Sequence, residues 1–369
     1  MSTLATNAIT DAGGGNTATI NSYTPTESNM AGRNRIINGD MRIDQRNAGA
    51  SVTPTTNTTY TLDRWLTYLS QASKFSVQQS TVAPAGFKNS LLVTSLSSYA
   101  VGTSETFSIV QRIEGLNIYD LDWGTADAKT VTLSFWTRSS LTGTFGGTIK
   151  NSAEDRVYPF SYTISTANTW EKVTITIEGD ASGTWLTTNG RGITVVFGLG
   201  TGATLSATAG AWSAGNKFSA TGATSVVGTS GATLYITGVQ LEAGSVATPF
   251  ERRQYGQELA LCQRYCQKSY NLETVPGGVT NSGMLAVLAN NSSYGECLQA
   301  RFPVAMRALP TITTYNPATG ASGSIRNITG STNVTASLNN TSQNGLSNLN
   351  VALTSGSVYI FHYLASAEL

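Results

Sequence analysis

The amino-acid sequence predicts an all-β fold organised around a jelly-roll β-sandwich. Short runs in which apolar and polar residues alternate recur along most of the 369 residues, and a period of two is typical of half-buried strands. Gly, Asn and Ser separate the runs, and only 9 prolines occur beside abundant Thr, Tyr, Val and Gly, which favours strands joined by many turns. The length suffices for two ordinary domains and a tail.

Charge and cysteine content narrow the class of protein. Charged residues make up 12% of the chain and the net charge is +1, which removes the electrostatic argument for a nucleic-acid or anionic-membrane partner. No apolar run reaches the roughly 18 residues that membrane insertion needs. The start, MSTLATNAITDAGGGN, lacks the basic and apolar regions of a signal peptide, and 3 cysteines are too few for a disulfide framework. We expect folding in a reducing cytosol.

Residues 1–32 have no apolar periodicity and include a glycine triplet. Such a segment is expected to be an extended or disordered arm in isolation. Two interpretations are open: a floppy terminus, and an arm that becomes ordered only when it docks on a partner or on a neighbouring subunit.

The jelly-roll β-sandwich is predicted for residues 33–248. Runs such as FSIVQRI, VTLSFW, WEKVTITIEG, GITVVFGLG and ATLYITGVQLE each place apolar residues on one side. Many such strands without helical stretches between them indicate a sandwich whose inner faces form the core. The residues expected in that core are Phe107, Ile109, Ile113, Val131, Leu133, Phe135, Val173, Ile175, Ile177, Ile193, Val195, Phe197, Leu199, Leu234, Ile236, Val239 and Leu241.

A short helical junction is predicted for residues 249–270, where charged and helix-forming residues cluster. Thr248, Pro249 and Glu251 match a capping box with proline at the first helical position. Gly256 interrupts that turn, so the main helix is expected to run from Gly256 to about Lys268.

One face of this helix has the spacing of a coiled-coil seam. Tyr255, Leu259, Cys262 and Cys266 are separated by 4, 3 and 4 positions. Two heptads are too few to hold a coiled coil alone, but a short seam on a symmetry axis is feasible. The alternative is a helix packed on its own domain.

Residues 271–369 are predicted to form a smaller C-terminal β-sandwich domain. The run ECLQARFPVAM alternates at Leu298, Ala300, Phe302, Val304 and Met306. The final run, SVYIFHYLASAEL, is apolar on both faces, so we expect it to be buried between layers or between subunits.

The sequence offers little catalytic chemistry. His362, the only histidine, lies in an apolar strand and is interpreted as a satisfied core or interface residue, which leaves no base for a catalytic triad. Cys262 and Cys266 are interpreted as buried thiols, because no second ligand pair accompanies them. Two acidic pairs are the remaining alternative, since glycoside hydrolysis needs two carboxylates: Asp120 with Asp122, and Glu154 with Asp155. Turns commonly hold such acids, and we expect neither an enzyme nor a cofactor.

Three tryptophans are candidates for binding a glycan. Trp123, Trp185 and Trp212 lie in loop-like segments among Asn, Asp, Thr and Gly, and exposed indole rings there suit the apolar faces and hydroxyl edges of sugars. The alternative is that they fill the core or cover its edge. Trp136 shares a strand with the predicted core face but points the opposite way.

Several stretches resemble bacteriophage tail fibre and virion appendage proteins. NRIINGDMRIDQR, followed by YTLDRW, is similar to the start of their jelly-roll domains, and GATLYITGVQLEAGSVATPFERRQYGQELALCQRYC is similar to the closing strand and junction. CLQARFPVAMRALPTIT and YIFHYLASAEL are similar to the distal domain that follows. The resemblance covers most of residues 33–369 and is most specific over residues 235–266.

The first domain also resembles, more distantly, jelly-roll carbohydrate-binding modules. Asn38, Gly39, Asp40 and Met41 stand where those modules open their first strand. The resemblance implies a structural calcium held by first-strand and closing-strand acids, for which Asp40 is a candidate. The closing strand has Thr237 and Gly238 where an acid is expected, which departs from that pattern.

What the resemblance implies is a virion structural protein that contributes to host attachment by binding bacterial surface polysaccharide. It would be made in the host cytoplasm and located in the virion. It further implies a homotrimer joined at the Tyr255, Leu259, Cys262 and Cys266 seam, with residues 1–32 docking on other virion proteins. The alternatives are a head decoration or spacer protein without receptor binding, a carbohydrate-binding module of a bacterial enzyme, and a depolymerase.

Overall fold

The structure is a computed structural model that describes residues 32–290, 295–339, 341–350 and 353–369. Strands account for nearly all of its regular elements, joined by one α-helix and three short 3₁₀ turns within these ranges, so the predicted all-β fold class is confirmed. The predicted arm spans residues 1–32, of which 1–31 lie outside the described residues. No helix in the described part is long and apolar enough to cross a membrane.

The first unit is a sandwich of two antiparallel sheets. Its strands are β1 (Thr59–Tyr60), β2 (Trp65–Leu69), β3 (Phe75–Ser80), β4 (Ser90–Ser95), β5 (Thr106–Glu114), β6 (Val131–Ser139), β7 (Gly143–Lys150), β8 (Arg156–Ile164), β9 (Glu171–Ile177), β10 (Arg191–Thr201), β11 (Ser206–Ala207), β12 (Ser213–Ala214), β13 (Ser219–Ala220) and β14 (Thr233–Ala243). One sheet has the order β1-β2-β5-β10-β7-β8-β12 and the other β3-β4-β14-β6-β9, while β11 and β13 form a separate parallel pair.

The inner faces of the two sheets supply one continuous hydrophobic core. The predicted inward positions on β5, β6 and β10 are at most 2% exposed, because every second side chain of a strand points to the same face. On the edge strand β9, Val173 and Ile175 are half-buried and Ile177 is fully buried. The sequence alternation thus located the core correctly.

The alternation of inward and outward side chains along strand β14 shifts by one residue at Gly238. Its pairing with β6 shifts register between Thr237 and Gln240, which is a β-bulge. The bulge lets both Ile236 and Val239 point into the core although three positions separate them. Gly238 has φ +61°, a left-handed conformation that glycine adopts without steric cost.

The junction contains one helix, α1 (Tyr255–Gln263), and it is shorter than predicted. The prediction of a capping box is wrong, because both of its side chains bond elsewhere. The Thr248 hydroxyl donates to Glu242 Oε2 at 2.5 Å. The Glu251 carboxylate accepts the backbone N–H groups of Gly32 and Asn34. Helix α1 instead begins after Gln254, which makes no side-chain cap.

The second unit follows at once, with strands in place of the predicted end of the helix. Its strands are β15 (Cys266–Lys268), β16 (Leu285–Ala289), β17 (Gly295–Arg301), β18 (Thr311–Tyr315), β19 (Ser324–Asn327), β20 (Thr332–Thr335), β21 (Ser337–Asn339), β22 (Gly345–Asn350) and β23 (Val358–Ser366). Cys266–Lys268 pair with Leu364–Ser366 of β23, so this segment is extended. The alternation that predicted a strand through Met306 corresponds to a strand, β17, that ends at Arg301.

Strand β23 is the centre of the second unit. Its first half pairs with β16 and β19, and its second half pairs with β15 and β18. Its side chains enter two hydrophobic clusters, with Tyr359 and Phe361 in one and Tyr363 and Ala365 in the other. Those four residues share one face, and on the opposite face Ile360 is 6% exposed and His362 is 0% exposed, so both faces of the final strand are buried within its own chain, as its apolar pattern indicated.

Candidate functional site

The three candidate tryptophans meet in one cluster at an end of the sandwich. The ring centroids of Trp123 and Trp185 are 4.6 Å apart, and Trp212 lies 5.4 and 5.5 Å from them, all edge to face. Trp123 is 6% exposed and Trp185 is 7% exposed. The prediction that these two rings are exposed for sugar stacking is wrong, because the loops that carry them converge and cover them. Trp212 is half-buried against the same core.

Hydrogen bonds fix this tryptophan cluster. The indole N–H of Trp123 donates to Lys129 O at 2.7 Å, and that of Trp212 donates to Glu178 O at 2.8 Å. Trp185 donates to Asp180, whose carboxylate also binds the Arg156 guanidinium. Burial raises the pKa of Asp180, but the bonds from Arg156 and Trp185 outweigh it and leave that pKa lowered. The cluster is a structural support for the loops.

The four residues of the predicted trimer seam do not form one exposed face in the structure. Cys262 and Cys266 are fully buried inside their own chain, and Cys262 packs with Ile37, Ile43 and Tyr265. Cys266 lies on β15 rather than on the helix. Leu259 is partly buried against the same cluster. Of the four residues, only Tyr255, at 47% exposure, is largely accessible to solvent. A seam of all four residues between subunits is therefore wrong, and α1 packs on its own chain.

The buried-thiol interpretation is confirmed for Cys262 and Cys266, which form no disulfide. Burial raises the pKa of both thiols, and a neutral thiol is a poor nucleophile and a poor metal ligand.

His362 is a satisfied core residue, as predicted. Its Nε2 faces the carbonyl oxygen of Thr280 at 2.9 Å, and its Nδ1 faces the hydroxyl of Ser269 at 2.9 Å. A carbonyl only accepts, so Nε2 carries the proton and Nδ1 accepts from Ser269. The imidazole stacks on Tyr270 at a centroid distance of 3.8 Å.

The two acidic pairs considered for hydrolysis are held by cations or amides. Asp120 pairs with Arg35 and Asp122 with Lys129. Glu154 pairs with Arg191 and Lys150, and Asp155 accepts from the side chain of Asn151 at 2.6 Å. Each carboxylate is thus committed to a local contact.

Asp40 does not fit a calcium site. Its carboxylate pairs with Arg42, and no group of three His, Cys, Asp or Glu residues suited to a metal exists in the described part of the chain. Burial raises the pKa of Asp40, which the Arg42 charge only partly offsets. The Asp40 carboxylate is thus occupied by a guanidinium, whereas calcium needs six to eight oxygen ligands around the ion.

A different surface brings exposed aromatic rings together: the outward side of the five-stranded sheet. We call Trp136, Arg138, Trp170, Lys172 and Tyr235 the aromatic face. Trp136 on β6 lies opposite Lys172 on β9, and Arg138 lies opposite Tyr235 on β14, while Trp170 directly precedes β9. Directly opposite residues lie close enough for their side chains to touch.

The rings of the aromatic face stand at the surface. Trp136, Trp170 and Tyr235 are partly exposed, and Lys172 is exposed. The Trp170 and Tyr235 rings are 6.0 Å apart between centroids, and the Arg138 guanidinium lies 5.1 Å from the Tyr235 ring. Arg138 is held there by a bond from its Nε to Asn168 O at 2.8 Å. Exposed Thr174 and Thr176 continue the outward row on β9.

A small pocket of about 180 Å³ adjoins Trp136. Its further walls include Phe87, Phe250 and Arg252, and the guanidinium of Arg252 lies 4.7 Å from the Phe87 ring. Phe87 and Phe250 are 5.3 Å apart, edge to face. A Cβ on Gly238 would stand 2.7 Å from Phe87, so the bulge glycine lets that ring approach.

A second cleft, of about 440 Å³, lies between the N-terminal segment, α1 and the loop after β15, and includes Arg42, Asp44, Gln79, Tyr255 and Glu273 in its lining. Tyr255 is the one aromatic residue that lines it, and the Asp44 carboxylate is occupied by the backbone N–H groups of Asn47 and Gly49. It offers less for ring stacking than the aromatic face does.

The aromatic face combines the features that bind sugar rings. Indole and phenol rings pack on the apolar faces of pyranoses, and hydroxyl, ammonium and guanidinium groups bond their edges. The signal was present in the sequence, since the alternation of β6 already turned Trp136 away from the core. The contribution of Trp170 and Tyr235 depends on strand pairing, which the alternation does not reveal.

No family model matches the chain and no curated protein matches it. Among solved structures, the enzymatically active domain of bacteriophage CBA120 tailspike protein 4 matches with a TM-score of 0.31 and 11% identity over 57% of this chain and 21% of that one. A putative sugar-binding protein of Bacteroides thetaiotaomicron matches with 0.36 and 14%, over 57% and 100%.

The family 11 carbohydrate-binding module of Clostridium thermocellum, in complex with a mixed-linked tetrasaccharide, matches with a TM-score of 0.28 and 12% identity, over 54% of this chain and 98% of that one. At these values the assignment of a β-sandwich rests on the strand pairings of this chain itself. The matched region is a small part of the tailspike chain.

Proposed function

We propose that this protein is a non-catalytic glycan-binding protein of a bacteriophage virion, a tail fibre or appendage that contributes to host attachment. The observation that carries glycan binding is the aromatic face, where three partly exposed rings and two cations share one open sheet surface. The virion assignment is supported by the sequence resemblance over residues 33–369. We therefore assign glycan binding to the aromatic face rather than to the cluster of Trp123, Trp185 and Trp212.

Binding of the full chain to purified bacterial surface polysaccharides, measured by calorimetry, tests the glycan part. We expect the wild-type chain to bind one or more of them, and Trp136→Ala and Trp170→Ala to weaken binding at least tenfold, since truncating an anchoring aromatic side chain of a binding surface costs about 2 kcal/mol or more.

The matched control is Tyr119→Ala, which removes an aromatic ring that is 66% exposed outside this face. Its affinity should equal that of the wild type. Equal affinity of Trp136→Ala, Trp170→Ala and the wild type would reject the aromatic face. Absence of any glycan binding by the folded chain would favour the spacer or head-decoration role instead.

A homotrimer belongs to the same proposal, although the helical seam no longer supports it. Val279 and Leu309 are each 66% exposed and Leu288 on β16 is 52% exposed, and a neighbouring subunit that packed on them would bury apolar surface. Sedimentation equilibrium of the full chain should give three times the chain mass, and Leu288→Asp should lower it. A monomeric mass for the wild type would reject the trimer.

A further inference from the structure

Arg138 and Lys172 on the aromatic face, and Arg252 in the adjoining pocket, form no salt bridge within the described part of the chain, although the charge of Arg252 also acts on the Asp40 carboxylate. Most arginines and lysines of the sandwich and junction form ion pairs, as Arg35 does with Asp120 and Arg156 with Asp180. Arg138, Lys172 and Arg252 instead contact rings or a backbone carbonyl, or are exposed. In a chain with 12% charged residues, Arg138 and Lys172 on the sheet surface and Arg252 in the adjoining pocket thus place three cations near Trp136.

The acidic side chains of the same sheet point their carboxylates elsewhere. Its five strands contain two acids, Glu171 and Glu242. Glu171 accepts the backbone N–H groups of Ser165 and Thr166, both at 2.9 Å. Glu242 is 1% exposed and binds Thr248. The aromatic face therefore presents positive charge that these two carboxylates do not neutralise.

The three cations lie along the aromatic face and in the pocket beside it. Lys172 is directly opposite Trp136, and Arg138 is two residues further along β6 on the same side, which corresponds to about 7 Å. Arg252 and Lys172 both line the small pocket beside Trp136. A ligand whose ring packs on Trp136 thus has a cation on each side.

We propose that the glycan bound by the aromatic face is an acidic polysaccharide whose uronate carboxylates pair with Arg138, Lys172 and Arg252. This inference rests on the proposed function and specifies its ligand. Charge complementarity carries it, because a carboxylate pairs with guanidinium and ammonium groups while the rings take the apolar face of the same sugar. The hydroxyl groups of Ser134, Thr174 and Thr176 share the outward row and suit sugar hydroxyls.

The test uses the full chain with a polyuronate, polygalacturonate, and with its carboxyl-reduced neutral counterpart. We expect polygalacturonate to bind at least tenfold more tightly than the reduced polymer, and this difference to shrink as NaCl increases, because salt screens exposed charges. Arg138→Gln combined with Lys172→Gln and Arg252→Gln should abolish the difference. Arg326→Gln, which removes a cation of the second unit, is the matched control and should leave it unchanged.

Equal binding of both polymers would overturn the acidic-ligand inference while leaving glycan binding intact. Binding of a phosphodiester-linked teichoic acid without polygalacturonate would overturn the carboxylate assignment. Tight binding of oligo(dT) that requires Trp136 would overturn the glycan ligand in favour of a single-stranded nucleic acid. If neither the folded wild-type chain nor Trp136→Ala bound any of these polymers, the proposed function itself would be rejected.

Discussion

Arg64 and Glu368 are 304 positions apart in the sequence, and their side chains form an ion pair from which solvent is almost excluded. Arg64 also stacks on Tyr265, with the guanidinium carbon 3.5 Å from the ring centroid, and Arg46 binds the same Glu368 carboxylate at 3.1 Å. The pair joins the sandwich to the last residues of the second unit, so the two units are held together by buried charge.

Glu368→Gln should lower the free energy of unfolding by about 3 kcal/mol or more, because Arg64 and Arg46 would stay buried without a counter-charge. Guanidinium chloride unfolding measures this. Asp122→Asn is the control: it breaks the exposed pair with Lys129 and should cost less than about 1 kcal/mol. Equal losses in the two variants would show that the buried pair contributes no more to stability than the exposed pair.

Trp185→Ala should destabilise the chain by about 3–5 kcal/mol, because it leaves a large cavity among Trp123, Trp212 and the core. Trp136→Ala should cost much less, since its ring is partly exposed. Thermal unfolding followed by near-UV circular dichroism compares them. A Trp185→Ala chain that melts like the wild type but loses glycan binding would restore the sequence-based assignment.

The pH dependence of stability should carry a contribution from His362. Burial lowers the pKa of His362 below the 6.5 of a free imidazole, so the unfolded chain binds the proton more readily than the folded chain. This contribution is fully present above pH 6.5 and is lost as the pH falls towards the pKa of the folded state.

Urea unfolding from pH 7.5 to 5 measures that contribution. Because His362 is the only histidine, His362→Gln should give a shallower decrease in stability below pH 6.5 than the wild type. Parallel curves for the two chains would contradict the assignment.

Gly238→Ala should both destabilise the sandwich and alter the pocket beside Trp136. The added Cβ would lie 2.7 Å from Phe87 and would require a φ of +61°, at a cost of about 1–3 kcal/mol. Gly222→Ala is the control, because Gly222 has a φ of +78° and no atom within 4 Å of the added Cβ. Equal losses of stability would mean that backbone strain alone matters.

The sequence predicted those features that depend on local pattern. Alternation identified the inward residues of β5, β6 and β10, because burial of one strand face imposes a period of two wherever the strand pairs. The break expected at Gly256 placed the start of α1 within one residue, but the helical spacing that continued to Cys266 did not give its end. Cys266 pairs with Ser366 on β23, and this distant pairing ended the helix without a local signal.

The tryptophans show the same limit for the candidate site. Trp123, Trp185 and Trp212 share the polar, glycine-rich surroundings of exposed binding residues, and the prediction grouped three residues that do come together. Their burial depends on how three separate loops converge. Trp170 and Tyr235, in contrast, are brought together by the register of β9 and β14 on either side of β6.

The central position of β23 has a consequence for how the chain folds. All four strands that pair with it precede it in the sequence. During synthesis, the edges of these strands that pair with β23 therefore stay unpaired until β23 leaves the ribosome. Unpaired strand edges are templates for aggregation, and pairings of long sequence separation form slowly. Chains interrupted before Val358 should therefore aggregate rather than fold the second unit, and assembly of this unit should be the slow step in producing the protein.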